Sequence, residues 1–211
     1  IKNGNSIMPR NEIFSLKTSF LPFSDIWRYK MLYEKGGYWV DLDMIATKMF
    51  DFKEPFIFSS ERTIQAGAYK SQQKYVVNIG VLKAPPKSEF YLDLYNKCFE
   101  HNKKSGADKK TVYMRMLKKQ IEKYNFEKYI KMPHVFCNLD WWYAKEAFMP
   151  LQKYKDKYGV KAPTLKSMFS KTYTVHFWRD KVSKKFKLDL DKIYDPDCLW
   201  EIMIDVLGLE N

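Results

Sequence analysis

The sequence has no long apolar run and few cysteines. Its apolar stretches, such as Trp39–Val40 and Tyr75–Val77, fall far short of the ~20 residues that a helix needs to cross a bilayer, so we expect no transmembrane segment. The three cysteines, Cys98, Cys137 and Cys198, are odd in number and widely spaced. This pattern fits neither a disulfide framework nor a CxxC zinc site, and it favours reduced thiols.

A secretion leader, with basic, apolar and small residues in succession, is also absent, so we expect a cytoplasmic protein. The segment begins at Ile1 rather than at Met, and we expect that it can be part of a longer multidomain chain. Its 211 residues, 45% of them hydrophobic, are enough for one domain with a real core. Because no repeat or linker divides it, we predict a single domain over residues 1–211.

The charge is strongly unbalanced, with 37 Lys and Arg against 25 Asp and Glu and a net charge of +12. Such a chain can bind nucleic acid by releasing counterions from phosphates. Only five of the basic residues are Arg, however, which is the side chain that contacts bases and phosphates in a bidentate way. The charge therefore favours a solvated surface that attracts anionic ligands such as nucleotides. A Lys-rich nucleic-acid-binding module stays an alternative.

Apolar periodicity predicts helices that alternate with strands. A helix over residues 25–35 begins after Ser24 and ends before Gly36, and a strand over Tyr38–Met44 follows it. Other predicted strands cover Phe56–Ser59, Tyr75–Leu82, the region near Val135 and Tyr173–Trp178, and other predicted helices follow Ser88 and Asp108, surround Ala144 and cover Pro196–Leu207. The alternation predicts an α/β architecture with a largely parallel sheet.

Three Asp-x-Asp pairs occur in the chain, Asp41/Asp43, Asp189/Asp191 and Asp195/Asp197. Random placement of 14 aspartates would supply about one such pair, so the pattern alone is not diagnostic. The two later pairs lie in a lysine-rich stretch, and Asp195 precedes Pro196 as a helix N-cap residue would. We interpret both later pairs as structural.

The first pair lies at the end of the predicted strand over Tyr38–Met44. Alternation along that strand places Trp39, Asp41 and Asp43 on one face and Leu42 on the apolar, buried face. Two adjacent carboxylates repel each other unless a proton, a cation or water separates them. Mg²⁺ or Mn²⁺ is the usual cation, and substrate phosphates often complete its ligands. A metal-dependent phosphohydrolase would also use such a pair and stays a second alternative.

The helix before this pair carries Asp25 and Arg28 three residues apart, on one face, either as a surface ion pair or as part of a pocket. The whole run SDIWRYKMLYEKGGYWVDLD resembles the signature of DXD-containing (Och1-like) sugar transferases. In that family Ser-Asp-x-x-Arg-Tyr, a Leu-Tyr pair, Gly-Gly and Asp-x-Asp follow one another at this spacing. So many fixed positions are far more specific than the aspartate pair alone.

The resemblance implies a GT-A fold, in which a Rossmann-like, mostly parallel mixed sheet is flanked by helices. It implies a hexosyltransferase-like enzyme that uses Mn²⁺ or Mg²⁺. The donor would be a nucleoside diphosphate sugar, most often UDP-linked, and the acceptor a hydroxyl of a glycan or glycoprotein. Nucleic acid is not an implied partner.

The resemblance also implies roles for individual residues. Asp43 and Asp41 are the expected catalytic residues, and the expected metal ligands are Asp43, His176 and, directly or through water, Asp41. The expected donor-binding residues are Asp25, Arg28, Tyr29, Gly37, Asn78, Trp178, Arg179 and Lys181. Without the resemblance, His176 beside Phe177 would be read more readily as a packed core histidine.

The acceptor side is less well defined, because the family's usual Thr-Gly-Pro appears at best as Ser105-Gly106-Ala107. Asp140 is a candidate general base, which inverting transfer needs near the acceptor and retaining transfer does not need. The aromatic run from Trp141 to Tyr143 either stacks on an acceptor sugar or belongs to the core. The sequence does not distinguish the two stereochemical outcomes.

Overall fold

A computed structural model describes residues 3–15, 20–63, 74–105, 112–153, 171–179, 181–189 and 192–208. Its contacts divide the chain into two compact units, residues 1–41, 52–60 and 76–131 in the first and residues 42–51, 61–75 and 132–211 in the second. The division falls between Asp41 and Leu42, so the aspartates of the first pair belong to different units. The single-domain organisation stays a prediction.

The described elements mix helices and short strands. In chain order they are α1 (Arg10–Ser15), α2 (Phe20–Lys35), β1 (Gly37–Val40), β2 (Met44–Ala46), β3 (Ile57–Thr63), β4 (Lys74–Ala84), α3 (Glu89–Ser105), α4 (Val112–Lys123), α5 (Pro133–Phe136), β5 (Thr174–His176) and α6 (Leu199–Val206). A 3₁₀ segment covers Trp141–Phe148, and a π-helical turn covers Lys181–Lys185. Within the described residues, every helix is too short or too polar to cross a lipid bilayer.

The strands form two small sheets, one in the order β1-β4-β3 and one of β2 with β5. β1 runs antiparallel to β4, with Gly37 opposite Ala84, and β2 runs antiparallel to β5, with Met44 opposite His176. The mixed α/β class is therefore confirmed. The two strand pairs with a described register are antiparallel, however, where the sequence predicted a largely parallel sheet. Apolar alternation identifies a strand but does not fix the direction of its partner.

The first unit has an aromatic core between its helices and its sheet. In α2, Ile26, Tyr29 and Leu32 recur every three residues and are fully buried, because this spacing places them on one helical face. Their partners in the core include Phe56, Phe58, Leu82, Phe90, Tyr91, Tyr113 and Leu117. Each buried aromatic ring removes a large apolar area from water, which stabilises this unit.

The second unit has its own core. It contains Ala144, Ala147, Phe148, Val175, Phe177, Val182, Leu199 and Met203. The predicted helix around Ala144 is a 3₁₀ segment, and the predicted final helix is α6. The strand predicted near Val135 is wrong, because residues Pro133–Phe136 form α5. Proline at the first helical position has a φ angle that suits a helix, and this outweighs the strand preference of Val135.

The strand predicted over Tyr38–Met44 is interrupted. β1 ends at Val40, residues 41–43 form a turn, and β2 begins at Met44. The Asp41 amide still donates to the Gly80 carbonyl at 2.8 Å, which extends the ladder by one residue before the chain turns. Leu42 is fully exposed rather than buried, so its predicted place on the core face is wrong. The period of two applies only while the backbone stays extended.

Gly36 and Gly37 provide a matched test of the turn that follows α2. Both have positive φ, +63° and +78°. A Cβ at Gly36 would lie 2.5 Å from the Pro86 nitrogen, whereas one at Gly37 would meet nothing within 4 Å. We expect Gly36→Ala to lower the free energy of unfolding by about 3 kcal/mol, from backbone strain and overpacking together. We expect about 1 kcal/mol for Gly37→Ala, from backbone strain alone. Urea denaturation measures both losses, and equal losses of unfolding free energy in the two variants would contradict the clash at Gly36.

Candidate functional site

The arginine cluster, which comprises Asp25, Arg28, Trp39 and Asp41, lies in the first unit. One turn of α2 places Asp25 beside Arg28, and their Oδ1 and Nη2 atoms are 3.1 Å apart. The Nη1 atom of Arg28 lies 3.1 Å from Asp41 Oδ1. Arg28 and Asp25 are 5% and 7% exposed, so the guanidinium meets the Asp25 carboxylate away from bulk water. The prediction that Asp25 and Arg28 lie on one helical face is confirmed. The two side chains form a buried ion pair.

Further contacts fix the orientation of the Arg28 guanidinium. Nη1 also donates to the Ile79 carbonyl at 2.7 Å, and Nη2 donates to Ser24 Oγ at 3.3 Å. The guanidinium lies 4.4 Å from the centroid of the Trp39 ring, and Trp39 Nε1 donates to Asp41 Oδ1 at 2.7 Å. The Oδ1 atom of Asp41 thus accepts from two donors, which hold its carboxylate in one orientation.

Burial raises the pKa of Asp25 to about 7. The Arg28 charge lowers the pKa of this carboxyl and the Asp41 charge raises it, but both effects are smaller than that of burial. A carboxyl away from water loses the solvation that stabilises its charged form. Near neutral pH, Asp25 therefore exchanges a proton.

Stability is expected to depend on pH through Asp25. An aspartate of an unfolded chain titrates near about 3.9, whereas Asp25 in the folded chain keeps its proton up to about 7. Since the folded state binds more protons in this window, the stabilisation is complete below about pH 4 and is lost as pH rises through about 7. Relative to Asp25→Asn, wild-type stability should fall by up to about 1.4 kcal/mol per pH unit there. Urea denaturation measures this at several pH values. The same change of the unfolding free energy with pH in both proteins would contradict the prediction.

Three other predicted donor-binding residues lie in the first unit, and their roles stay predictions. The Tyr29 side chain is fully buried, and its hydroxyl donates to the Tyr113 carbonyl at 3.3 Å, which favours a structural role. Asn78 is 4% exposed, and its Oδ1 accepts from Ser59 Oγ and from the Gly80 amide. Gly37 is exposed at the start of β1.

The aspartate–histidine cluster, which comprises Asp43, Cys137, His176, Trp178 and the amide of Arg179, lies in the second unit. Asp43 precedes β2 and His176 ends β5, and pairing of these strands brings them together. His176 Nε2 is 3.2 Å from Asp43 Oδ1. The Arg179 amide donates to Asp43 Oδ2 at 2.9 Å, so both carboxylate oxygens have partners.

The His176 ring is held from two sides. It stacks on Trp178, with ring centroids 3.8 Å apart and an angle of 21° between the planes. Its Nδ1 atom lies 3.9 Å from the Cys137 sulfur. Trp178 has a φ of +54° and donates from Nε1 to the Leu139 carbonyl at 2.8 Å. A left-handed backbone at a bulky residue is strained and is typical of sites where the surroundings fix the geometry.

Burial disfavours charge on Asp43 and on His176, but their contact outweighs it. The hydrogen bond and charge of His176, with the Arg179 amide, hold the pKa of Asp43 below its ordinary value. For His176, Asp43 and Cys137 overcome the effect of burial and raise the pKa to about 10. The pair is therefore an imidazolium–carboxylate ion pair, and a metal that binds Nε2 would replace its proton.

The spacing of Asp43 and His176 fits a shared metal ion. Two ligand atoms at about 2.1 Å from an octahedral ion, in neighbouring positions, lie about 3.0 Å apart. The observed 3.2 Å between Oδ1 and Nε2 is close to this value. Within the part of the chain that the structure describes, no group of three or more His, Cys, Asp or Glu side chains could hold a metal. Water or phosphate oxygens would have to complete the ligands.

Asp140 is engaged in an ion pair. Its Oδ1 atom lies 2.9 Å from Arg62 Nη1, which also donates to the Asn138 carbonyl at 3.3 Å. Burial raises the pKa of Asp140 more than Arg62 lowers it. The Arg179 side chain is exposed, and the side chain of Lys181 lies outside the described part of the structure. The roles of these residues stay predictions.

The later aspartate pairs have local backbone contacts where they are described. The Tyr194 hydroxyl donates to the Asp189 carbonyl at 2.7 Å, and the Asp197 amide donates to Asp195 Oδ1 at 3.0 Å. The second contact favours the structural interpretation of that pair, because a side chain that caps a following amide is typical of a turn. Asp191 lies outside the described residues, as do Gly106, Ala107 and Asp108.

Three side chains that contact the predicted site residues were not predicted from the sequence, namely Trp39, Arg62 and Cys137. The alternation of the strand puts Trp39 on the same face as Asp41, and that position already indicates a contact. Nothing local in the sequence links Cys137 to His176 or Arg62 to Asp140, because each pair is far apart along the chain.

Residues 2–64 match the family model described as a glycosyltransferase sugar-binding region containing a DXD motif. The matched segment includes the whole arginine cluster and Asp43, and it ends before His176. No curated protein and no solved structure matches the chain.

Proposed function

We propose that this chain, whose residues 2–64 match the model of DXD-containing glycosyltransferase sugar-binding regions, is a metal-dependent glycosyltransferase with a GT-A arrangement. It moves a sugar from a nucleoside diphosphate, UDP in our proposal, to a hydroxyl of a glycan or glycoprotein. The observation that supports the metal dependence is the 3.2 Å spacing of Asp43 Oδ1 and His176 Nε2. The family match supports sugar transfer.

Asp43 and His176 would hold the Mn²⁺ or Mg²⁺ ion. When bound, such an ion neutralises the negative charge that develops on a departing diphosphate. Trp178 and Cys137 keep the imidazole in place through the stack and the contact at Nδ1. The exposed guanidinium of Arg179 is available to a phosphate oxygen, and Lys181 would serve the same purpose.

The arginine cluster would orient the sugar of the donor. Asp41 is its most accessible carboxylate, with 26% of the side chain exposed. We assign Asp41 to bind a hydroxyl of the donor sugar or of the ribose. Arg28 and Asp25 would hold Asp41 in its orientation, and both would also contact the sugar directly if the donor extends that far. A carboxylate fixed by two donors loses little freedom when a hydroxyl binds to it.

The transfer forms a bond between the acceptor oxygen and the anomeric carbon and breaks the bond between that carbon and the diphosphate. The acceptor proton must pass to a base. Asp140 would take it on its Oδ2 atom, since the ion pair with Arg62 engages Oδ1. A phosphate oxygen of the leaving group is the other available acceptor of this proton.

A thermal-shift series tests the proposal. A ligand at a hundredfold excess over its Kd stabilises the folded state by about 2.7 kcal/mol. We expect UDP and UDP-sugars to raise Tm only with Mn²⁺ present, and GDP and GDP-sugars to raise it less. A shift without metal would contradict the metal dependence, and a larger shift with GDP would contradict the assigned base. Product analysis with an acceptor must show transfer, because free sugar alone would indicate a hydrolase.

A further inference from the structure

A surface cavity of about 480 Å³ lies in the second unit, apart from the two clusters. Its lining is mostly apolar, with two lysines, and consists of Lys145, Phe148, Met149, Lys185, Phe186 and Leu188. None of these residues belongs to the aspartate–histidine cluster. A volume of this size is within the range of ligand sites, which are typically apolar with a few polar groups.

The two lysines of the cavity converge on one aromatic ring. Lys145 Nζ lies 5.7 Å and Lys185 Nζ lies 5.6 Å from the centroid of the Phe186 ring. Lys185 Nζ also lies 4.8 Å from the centroid of the Trp141 ring. Both ammonium groups therefore lie near the same ring, and none of the described lining residues is acidic. An anion in the cavity would be attracted to both charges.

The apolar part of the cavity needs a different partner. Phe148 belongs to the core of the second unit, and Phe186 and Leu188 pack against that core. Together with Met149 they form an apolar surface beside the ammonium groups. A ligand that satisfies both parts has an anionic head and an apolar body.

We propose that this cavity binds an amphipathic phosphate, with the phosphate group between Lys145 and Lys185 and the apolar body against Phe148, Met149 and Leu188. The charge of the head and the apolar surface of the body both match the lining. This site does not depend on the proposed sugar transfer, because it shares no residue with the clusters assigned to that reaction.

Calorimetry with octyl phosphate, octyl glucoside and inorganic phosphate tests the site. We expect octyl phosphate to bind best, because only it has both the charge and the alkyl chain. Hexyl phosphate should bind more weakly, by roughly fourfold for each CH₂ that is no longer buried. Lys185→Gln should weaken octyl phosphate about fivefold, as expected for one partly exposed charge pair. Lys119→Gln, which removes an exposed lysine of α4, is the matched control and should have no effect.

Several outcomes would overturn the proposal. Equal binding of octyl glucoside would show that the site does not select an anion. Equal losses of octyl phosphate affinity in Lys185→Gln and Lys119→Gln would show that the ligand is attracted only to the overall positive charge. If octyl phosphate did not bind at all, the cavity would not be a binding site. Flotation with phosphatidylcholine vesicles, with and without phosphatidic acid, identifies the source of the phosphate. If the protein binds the acidic vesicles and Lys185→Gln weakens this binding, the phosphate is that of a lipid headgroup. If the protein binds octyl phosphate but not the acidic vesicles, the ligand is a free amphiphile.

Discussion

Asp43→Asn is expected to abolish the UDP-plus-Mn²⁺ thermal shift and to lower kcat by a factor on the order of 10² to 10³, as the loss of a strong electrostatic contribution to the transition state does. The carboxylate has two separate acceptor positions, one toward His176 Nε2 and one toward the Arg179 amide. Asparagine can accept at only one of them, and at the other its NH₂ group would face a donor. It also lacks the charge that a divalent cation requires. Thermal-shift measurements and titration calorimetry with Mn²⁺ test the loss of metal binding, and donor-turnover assays measure kcat.

The matched control for this variant is Asp197→Asn, which changes the same residue type in a different Asp-x-Asp pair. Asp197 is exposed, and its backbone amide and carbonyl, not its side chain, make its described hydrogen bonds. We expect it to leave Mn²⁺ affinity and turnover unchanged. If both variants behaved alike, the assignment of the metal to Asp43 would be wrong. Circular dichroism should show that both variants are folded.

Arg28→Met should lower the free energy of unfolding by about 3–5 kcal/mol, which is the usual cost of leaving a buried charge without its partner. Methionine preserves much of the volume but leaves the carboxylates of Asp25 and Asp41 without their cation. It also removes the hydrogen bond to the Ile79 carbonyl. Urea denaturation at pH 8 measures the loss. It should shrink at pH 5, because Asp25 then carries its proton in the folded chain.

Arg115→Met is the control for this second variant. Arg115 lies on the exposed side of α4, so its replacement should change stability by less than about 0.5 kcal/mol. A double variant that combines Arg28→Met with Asp25→Asn should recover part of the loss, because it removes one of the unpaired charges. A loss of the same size in Arg115→Met, or no recovery in the double variant, would refute the buried-charge explanation.

The local part of the site could be predicted from the sequence. Helical spacing alone places Asp25 and Arg28 on one face, and the structure shows them in contact. The motif that ends in Asp41-Leu42-Asp43 predicted a resemblance to DXD-containing sugar transferases, and residues 2–64 match the model of such a region. These inferences succeed because they depend on spacings of a few residues, where backbone geometry fixes the direction of side chains.

The remaining parts depend on contacts between distant residues. The proximity of His176 to Asp43 depends on the pairing of β2 with β5, which the sequence pattern does not specify. The antiparallel direction of the β1–β4 and β2–β5 pairs could not be predicted for the same reason. Leu42 is exposed, against the prediction, because the alternation of faces ends at Val40, where the chain turns. The alternation gives no sign of that turn, and one of the two side chains that hold Asp41, Arg28, comes from α2 rather than from the strand.

The exposed position of Leu42 offers a site for a spectroscopic label. All three cysteines of the chain are buried, so Leu42→Cys would provide the one thiol open to a reagent in the native protein. Because Leu42 makes no core contact that stabilises the fold, a nitroxide attached there should leave the fold intact. The label would lie one residue before Asp43, close enough for a bound Mn²⁺ ion to broaden its resonance. Metal occupancy could then be read directly, without an acceptor, a sugar or turnover.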